Sequence, residues 1–237
     1  MGNKRKRRLV AFGCSNTYGH GLKDCWVNKD GVPEVGLQAS KYAWPQLLSS
    51  YMGRTCTNLS NPGASIREVV HRIQTTTYQK GDIVVVMFPP VPRSCLISHN
   101  PNTEANNRYE RYGDWIIEQI FINRRPKPTD LDKIWISNFA DDSHIMLDWV
   151  TLSNYVYLFL KQKNIPAFYS TCGKSSIERK FVEEHNLTYI DYVPFFSPGV
   201  VEISKTMNDY ALDNDHPGEQ SHKIFADRIF QYISQNT

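Results

Sequence analysis

An uninterrupted apolar run, Ile83-Val84-Val85-Val86-Met87-Phe88, follows the pair Gly81-Asp82 and ends at Pro89-Pro90. It lacks polar alternation, so the strand it predicts is covered on both faces, which places it in the middle of a parallel sheet. Parallel strands need crossover connections, and the flanking sequence supplies them. Residues 9–13 predict a first strand, 42–51 a helix, and 55–59 a second strand. The helix predicted over 65–76 carries Ile66, Val69, Val70 and Ile73 at i, i+3, i+4 and i+7, one apolar face. Further along, 146–162 predicts a helix, 165–170 a strand, 176–185 a helix, 187–192 a strand and 219–234 a closing helix. The order predicts an α/β fold with a central parallel sheet, and 237 residues suit a single domain over 1–237.

The regular alternation is broken once. Pro89, Pro90 and Pro92 stop regular structure, because proline lacks the N–H and fixes φ. Residues 93–144 are rich in Asn, Arg, Pro and aromatics, with a short helix predicted over 115–121. The segment reads as an insertion after the third predicted strand, a lid or substrate-facing subdomain. Its Tyr109, Tyr112 and Trp115 suit a carbohydrate or nucleoside face, or a local core.

Composition narrows the function classes. A hydrophobic content of 41%, with 22% charged residues and a net charge of +3, describes an ordinary globular protein. The basic excess is local: Lys4 to Arg8 run together, either as a solvated arm before the first strand or as a contact for nucleic acid or an anionic surface. Elsewhere the charges are interspersed, and no nucleic-acid groove is written in the sequence. No stretch approaches the roughly 20 apolar residues of a membrane span. Five cysteines without paired spacing fit a reducing compartment, so a cytoplasmic location is expected.

Two segments carry the residue types of nucleophilic catalysis. Ser15 lies just past the first predicted strand, in Phe12-Gly13-Cys14-Ser15-Asn16-Thr17-Tyr18-Gly19, and ligands of open parallel sheets bind beyond the carboxyl ends of strands. A turn or a helix cap would use the same residues. His216 lies in Asp213-Asn214-Asp215-His216-Pro217-Gly218, before the closing helix. A serine hydroxyl needs a base, and the base needs a group that fixes its tautomer; Asp213 and His216 offer both from one loop. Asp215 with Pro217 reads as a helix start. His222 is a competing base, or a helix-surface or supporting group. Asn61-Pro62-Gly63-Ala64-Ser65 places a glycine where backbone can approach a bound oxyanion, or simply turns the chain. Cys14 beside Ser15 fits a packed thiol better than a nucleophile. His20, His144, His216 and His222 show no tight ligand spacing, so no metal and no cofactor is expected.

Together these segments resemble the SGNH/GDSL hydrolase superfamily across the chain outside 93–144. Gly13-Cys14-Ser15 is similar to its first block, Gly63 to its second, and Asp213-Asn214-Asp215-His216-Pro217 to its Asp-x-x-His-Pro block. Phe12–Gly19 and Asn61–Ser65 look like a branch found in tailed bacteriophage genomes. The resemblance implies a flavodoxin-like three-layer α/β/α sandwich and a Ser15–His216–Asp213 triad. It also implies an oxyanion hole from the Ser15 and Gly63 N–H groups with an asparagine after the third strand. That asparagine is missing: Pro89-Pro90-Val91-Pro92-Arg93 stands there, so either Arg93 stabilises the oxyanion instead or the loop turns away. The function implied is hydrolysis of small acyl esters, carbohydrate O-acetates among them. The alternatives are a binding or accessory protein on an impaired hydrolase fold, and an acyltransferase.

Overall fold

In the computed structural model the described residues are 7–29, 32–35, 38–91, 93–99, 109–112, 115–121, 130, 133–134, 142–172 and 203–236. Four parallel strands form the central sheet: β1 (Arg8–Phe12), β4 (Thr55–Asn58), β5 (Ile83–Phe88) and β9 (Ala167–Thr171), in the order β4-β1-β5-β9. β1 and β5 take the interior places, with Leu9 opposite Ile83 and Phe12 opposite Val86. The apolar run that predicted a central strand is therefore β5, hydrogen-bonded on one side to β1 and on the other to β9.

Two helical layers account for the lack of alternation. On one face, Leu9, Ala11, Val85 and Met87 pack against Trp44 and Leu48 of α2 (Trp44–Tyr51) and Phe225, Ala226, Ile229 and Ile233 of α5 (Glu219–Asn236). On the other, Val10, Phe12, Val84, Val86 and Phe88 meet Ile66, Val69, Val70 and Ile73 of α3 (Ile66–Thr75) and Trp149, Val150, Val156 and Leu160 of α4 (Asp142–Gln162). Successive strand residues point to opposite faces, so a strand between two helical layers must be apolar at every position. Side chains of this size each contribute about 1.5–3 kcal/mol on full burial. The architecture is the expected three-layer α/β/α sandwich.

Several expectations change. Residues 115–121 form a strand, β8 (Trp115–Phe121), not a helix; it pairs antiparallel with β6 (Arg93–His99) and β7 (Tyr109–Tyr112). Its apolar spacing fits either period, and the partner strands decide. A second hairpin, β2 (Trp26–Lys29) with β3 (Val32–Val35), goes unread by periodicity. The helix predicted over 176–185 and the strand over 187–192 lie outside the described residues. Arg8 is no part of a solvated arm: it opens β1 and donates to both carboxylate oxygens of the buried Asp82. Among the described residues no helix is long and apolar enough to cross a membrane.

Candidate active site

Ser15 stands where β1 gives way to a four-residue helix, α1 (Ser15–Tyr18). Gly13 makes the turn possible by close approach: a Cβ there would overlap Thr17 Oγ1 and sit 2.9 Å from the Met87 carbonyl oxygen. Cys14 O accepts from the Thr17 and Tyr18 N–H groups, and Ser15 O from those of Gly19 and His20. Gly19 ends the helix in the left-handed conformation, φ 81°. Ser15, only 5% exposed, thus sits at the carboxyl end of an interior strand on a turn fixed from both sides.

Asp213 and His216 meet within their own loop. His216 Nδ1 lies 2.6 Å from Asp213 Oδ2, while Asp213 Oδ1 accepts from the Asp215 and His216 N–H groups, each at 3.1 Å. One carboxylate oxygen therefore anchors the loop backbone and the other holds the ring. Asn214, at φ 57°, lets the loop fold back on itself. Burial acts to raise the Asp213 pKa, but the two N–H groups and the His216 ring outweigh it and keep the carboxyl below its ordinary value.

The Ser15 loop and the Asp213 loop are joined by their own residues. Gly21 O accepts from the Leu212 N–H at 2.9 Å, and a Cβ on Gly21 would lie 2.7 Å from Asp213 Cγ. His20, whose N–H is held by Ser15 O, puts Nε2 3.7 Å from Asp213 Oδ2 and its ring 4.7 Å from that of His216. No hydrogen bond joins Ser15 Oγ to His216 among the described residues. The structure thus brings the two loops into contact and forms the Asp–His pair. His20 is a neighbour that sequence reasoning weighed only as a metal ligand; its flanking glycines, both at φ 81°, were the available signal. The donor atoms of His20, Asp213 and His216 lie within 4.8 Å of one another, the one such grouping among the described residues. A metal ion there would compete with His216 for Asp213 Oδ2.

Other candidates fall into place around this pair. His222 is fully buried, its Nδ1 accepting from the Trp44 N–H, and burial lowers its pKa to about 3. It is a neutral structural group, neither a base nor a surface residue. The α5 start is not held by Asp215. Asp209 accepts from the N–H groups of Gln220 and Ser221 and from Ser221 Oγ, and so caps the helix from ten positions upstream. Gly63 adopts φ 81° in the turn before α3. That turn is held by Asn61, whose N–H donates to Gly13 O and whose side chain donates to Glu68. Glu68, fully buried, also takes the Arg72 guanidinium, and its N–H finds Ser65 Oγ, an N-cap with a glutamate at the third position. The loop after β5 turns toward α4, where Pro89 O accepts from Trp149 Nε1. Arg93, at the start of β6, brings its charge to Cys14 and Cys172 at the carboxyl ends of β1 and β9.

No protein-family model and no curated protein matches the chain. Solved structures do. A carbohydrate esterase family 2 enzyme with a carbohydrate-binding domain, from Corynascus thermopiles (Myceliophthora fergusii), superposes with TM-score 0.55 at 10% identity, over 99% of this chain and 68% of that one. A family two carbohydrate esterase from Clostridium thermocellum, solved with cellohexaose, gives TM-score 0.53 at 11% identity over 100% and 66%. A carbohydrate esterase described as having divergent catalytic and non-catalytic binding functions gives 0.51 at 14% over 98% and 69%. The parallel sheet between two helical layers matches the SGNH/GDSL hydrolase fold of these esterase structures.

Proposed function

We propose that this chain is a serine hydrolase of small acyl esters, carbohydrate O-acetyl groups among them, acting through Ser15, His216 and Asp213. The observation that carries the reading is the His216 Nδ1–Asp213 Oδ2 contact of 2.6 Å, held against the loop that presents Ser15. In this mechanism Ser15 Oγ attacks the ester carbonyl and gives its proton to His216 Nε2. Asp213 keeps Nδ1–H directed toward itself and offsets the imidazolium charge. His216 then returns the proton to the leaving alcohol, and water releases the acyl group by the same path. A missing Ser15–His216 hydrogen bond without substrate is compatible with this, since such bonds tighten in the Michaelis complex.

The oxyanion would be met by the Ser15 and Gly63 N–H groups, neither of which donates to a backbone carbonyl among the described residues. Arg93 takes the place of the third donor, and the β6–β8–β7 sheet of segment 93–144 serves as a substrate-facing lid. The rival reading, a binding protein on an impaired hydrolase fold, is favoured by one feature: the loop after β5 lacks the asparagine and ties Pro89 O to Trp149. Losing one such donor costs on the order of 10²–10³ in rate, which weakens an enzyme without abolishing it.

The test is intact-mass analysis after exposure to a small fluorophosphonate, alongside hydrolysis of a 4-nitrophenyl acetate. Wild type is expected to gain one adduct and to release nitrophenol. Ser15→Ala is expected to lose both, by at least about 10³-fold in hydrolysis. No adduct on folded wild type between about pH 6 and 9, where a histidine base is at least partly neutral, selects the binding protein instead.

A further inference from the structure

Directly beneath Ser15 lies a pair of sulfurs that the proposed chemistry does not use. Cys14 Sγ and Cys172 Sγ are 3.2 Å apart, although the residues are 158 positions apart in the chain. Cys14 lies two residues past β1, at the start of α1, and Cys172 follows β9; β5 runs between these strands, and Phe88 O at its end accepts from the Cys172 N–H at 3.1 Å. The two thiols close a bridge over the end of the central strand. Both are buried, Cys14 completely and Cys172 with 8% exposure, so the route from solvent leads to the Cys172 side.

We propose that Cys14 and Cys172 are a redox modification site, converted by a hydroperoxide into a reversible disulfide that acts on Ser15. The geometry supplies the main requirement, since closing from 3.2 Å to the roughly 2.0 Å of a disulfide asks for about 1 Å of movement, shared between the two side chains and the turn after β1. The surroundings supply the second. The hydrogen bond from Cys172 lowers the Cys14 pKa against the effect of burial, and the Arg93 charge and the Asn16 N–H add to it, whereas Cys172 is pushed up. A thiolate and a thiol in contact are the attacking and resolving partners of peroxide oxidation. Cys56 and Cys95 provide the contrast, because burial pushes both up to about 12.

The step balances as follows. The thiolate of the pair attacks one peroxide oxygen, the O–O bond breaks, and hydroxide leaves to be protonated to water. The neighbouring thiol then attacks the sulfenic sulfur and loses its proton as a second water departs. Two thiols have given up two electrons and two protons to one peroxide, forming one disulfide and two waters. Because Cys14 immediately precedes Ser15, drawing its sulfur toward Cys172 displaces the turn that presents the hydroxyl. In a reducing compartment such a bond is transient, as befits a sensor rather than a structural staple.

The experiment treats folded, reduced protein with a small excess of hydrogen peroxide, blocks remaining thiols under denaturing conditions, and maps the peptides. The expected product joins Cys14 to Cys172, lowers the intact mass by about 2 Da and reverts with dithiothreitol. Cys56 and Cys95 remain alkylatable. Recovery of Cys14 and Cys172 as separately alkylated peptides overturns the proposal, and so does a gain of about 32 Da as sulfinate without a joined peptide. Fluorophosphonate labelling of the two forms provides the second readout. A rate at least about tenfold lower when oxidised, restored by reductant, ties the pair to Ser15, since a misplacement of about 1 Å costs that much or more. Equal rates overturn that tie. This second readout rests on Ser15 being the nucleophile, whereas peptide mapping does not. A reduced protein that never labels refutes the hydrolase reading and leaves the crosslink to be judged by its own map.

Discussion

At the amino end of the central sheet, Asp82 accepts from Arg8 Nε at 3.1 Å, Arg8 Nη2 at 2.6 Å and the Gln79 N–H at 2.8 Å. At the carboxyl end, Asp213 accepts two backbone N–H groups and meets one side chain, a histidine ring with a second nitrogen to spare. Each carboxylate is held below its ordinary pKa by such partners. The difference lies in what the partner can do next. Arg8 stays charged and also donates to Thr77 O, so the amino end is closed polar architecture. His216 instead leaves a second ring nitrogen available, and its ring lies 4.7 Å from that of His20, which follows the Ser15 turn. A clamped carboxylate staples one end of the sheet and, in the proposed mechanism, orients a base at the other.

The largest expected effect comes from making Asp213 unable to hold the His216 ring in one tautomer. Asp213→Asn keeps a hydrogen bond to the ring but can donate to Nδ1 and select the other tautomer, so acyl hydrolysis should fall by about 10³–10⁴. Stability should fall far less. Steady-state hydrolysis and urea denaturation on the same samples separate the two. A variant within about tenfold of wild type would mean that His216 is oriented by something else, with His20 the nearest group.

A smaller effect tests the contact between the loops. Gly21→Ala puts a methyl 2.7 Å from Asp213 Cγ at a position with φ 81°. Steric overlap and backbone strain should cost about 1–3 kcal/mol in stability. Displacing Asp213 by a few tenths of an ångström to about 1 Å should also lower kcat up to about 10²-fold. Loss of stability with unchanged kcat would show that the Asp213–His216 pair moves as a unit and does not depend on the Ser15 loop.

The sequence was most informative where burial or a short loop writes structure locally. β5 is apolar at every position because helices cover both its faces, and that needs no knowledge of the partners. Asp213 and His216 were legible because they lie three residues apart in one turn, and Ser15 because a strand ends beside it. What escaped depends on residues distant in sequence. Asp209 caps α5 from outside the usual window, His222 is committed to Trp44, and Cys14 meets Cys172 across the end of β5. Trp115–Phe121 resists for another reason: Ile116, Ile117 and Ile120 suit a helix face as well as a strand, and only pairing with β6 and β7 decides. The hairpin Trp26–Lys29 with Val32–Val35 escapes because each strand is only four residues long and Pro33 argues against a strand.

The smallest effect belongs to the amino end and bears on whether the two ends are independent. Burial works to raise the Asp82 pKa, but the Arg8 hydrogen bond, the Gln79 N–H and the Arg8 charge prevail and lower it. A carboxyl lowered on folding stabilises the protein above its unfolded pKa, near 3.9, and the contribution fades as pH falls through the folded value. Asp82→Asn should therefore cost about 1.5–3 kcal/mol at pH 7, the range for hydrogen bonds to a charged group. The gap to wild type should narrow progressively below about pH 4 as the wild-type carboxyl takes up its proton. Urea melts of both proteins across that range measure the gap directly. Fluorophosphonate labelling at pH 7 should be unchanged, because Arg8 and Asp82 lie at the opposite end of β1 and β5 from Ser15. A labelling rate that fell together with stability would mean that the ion pair reaches Ser15 through β1, and that the strand transmits strain between its ends.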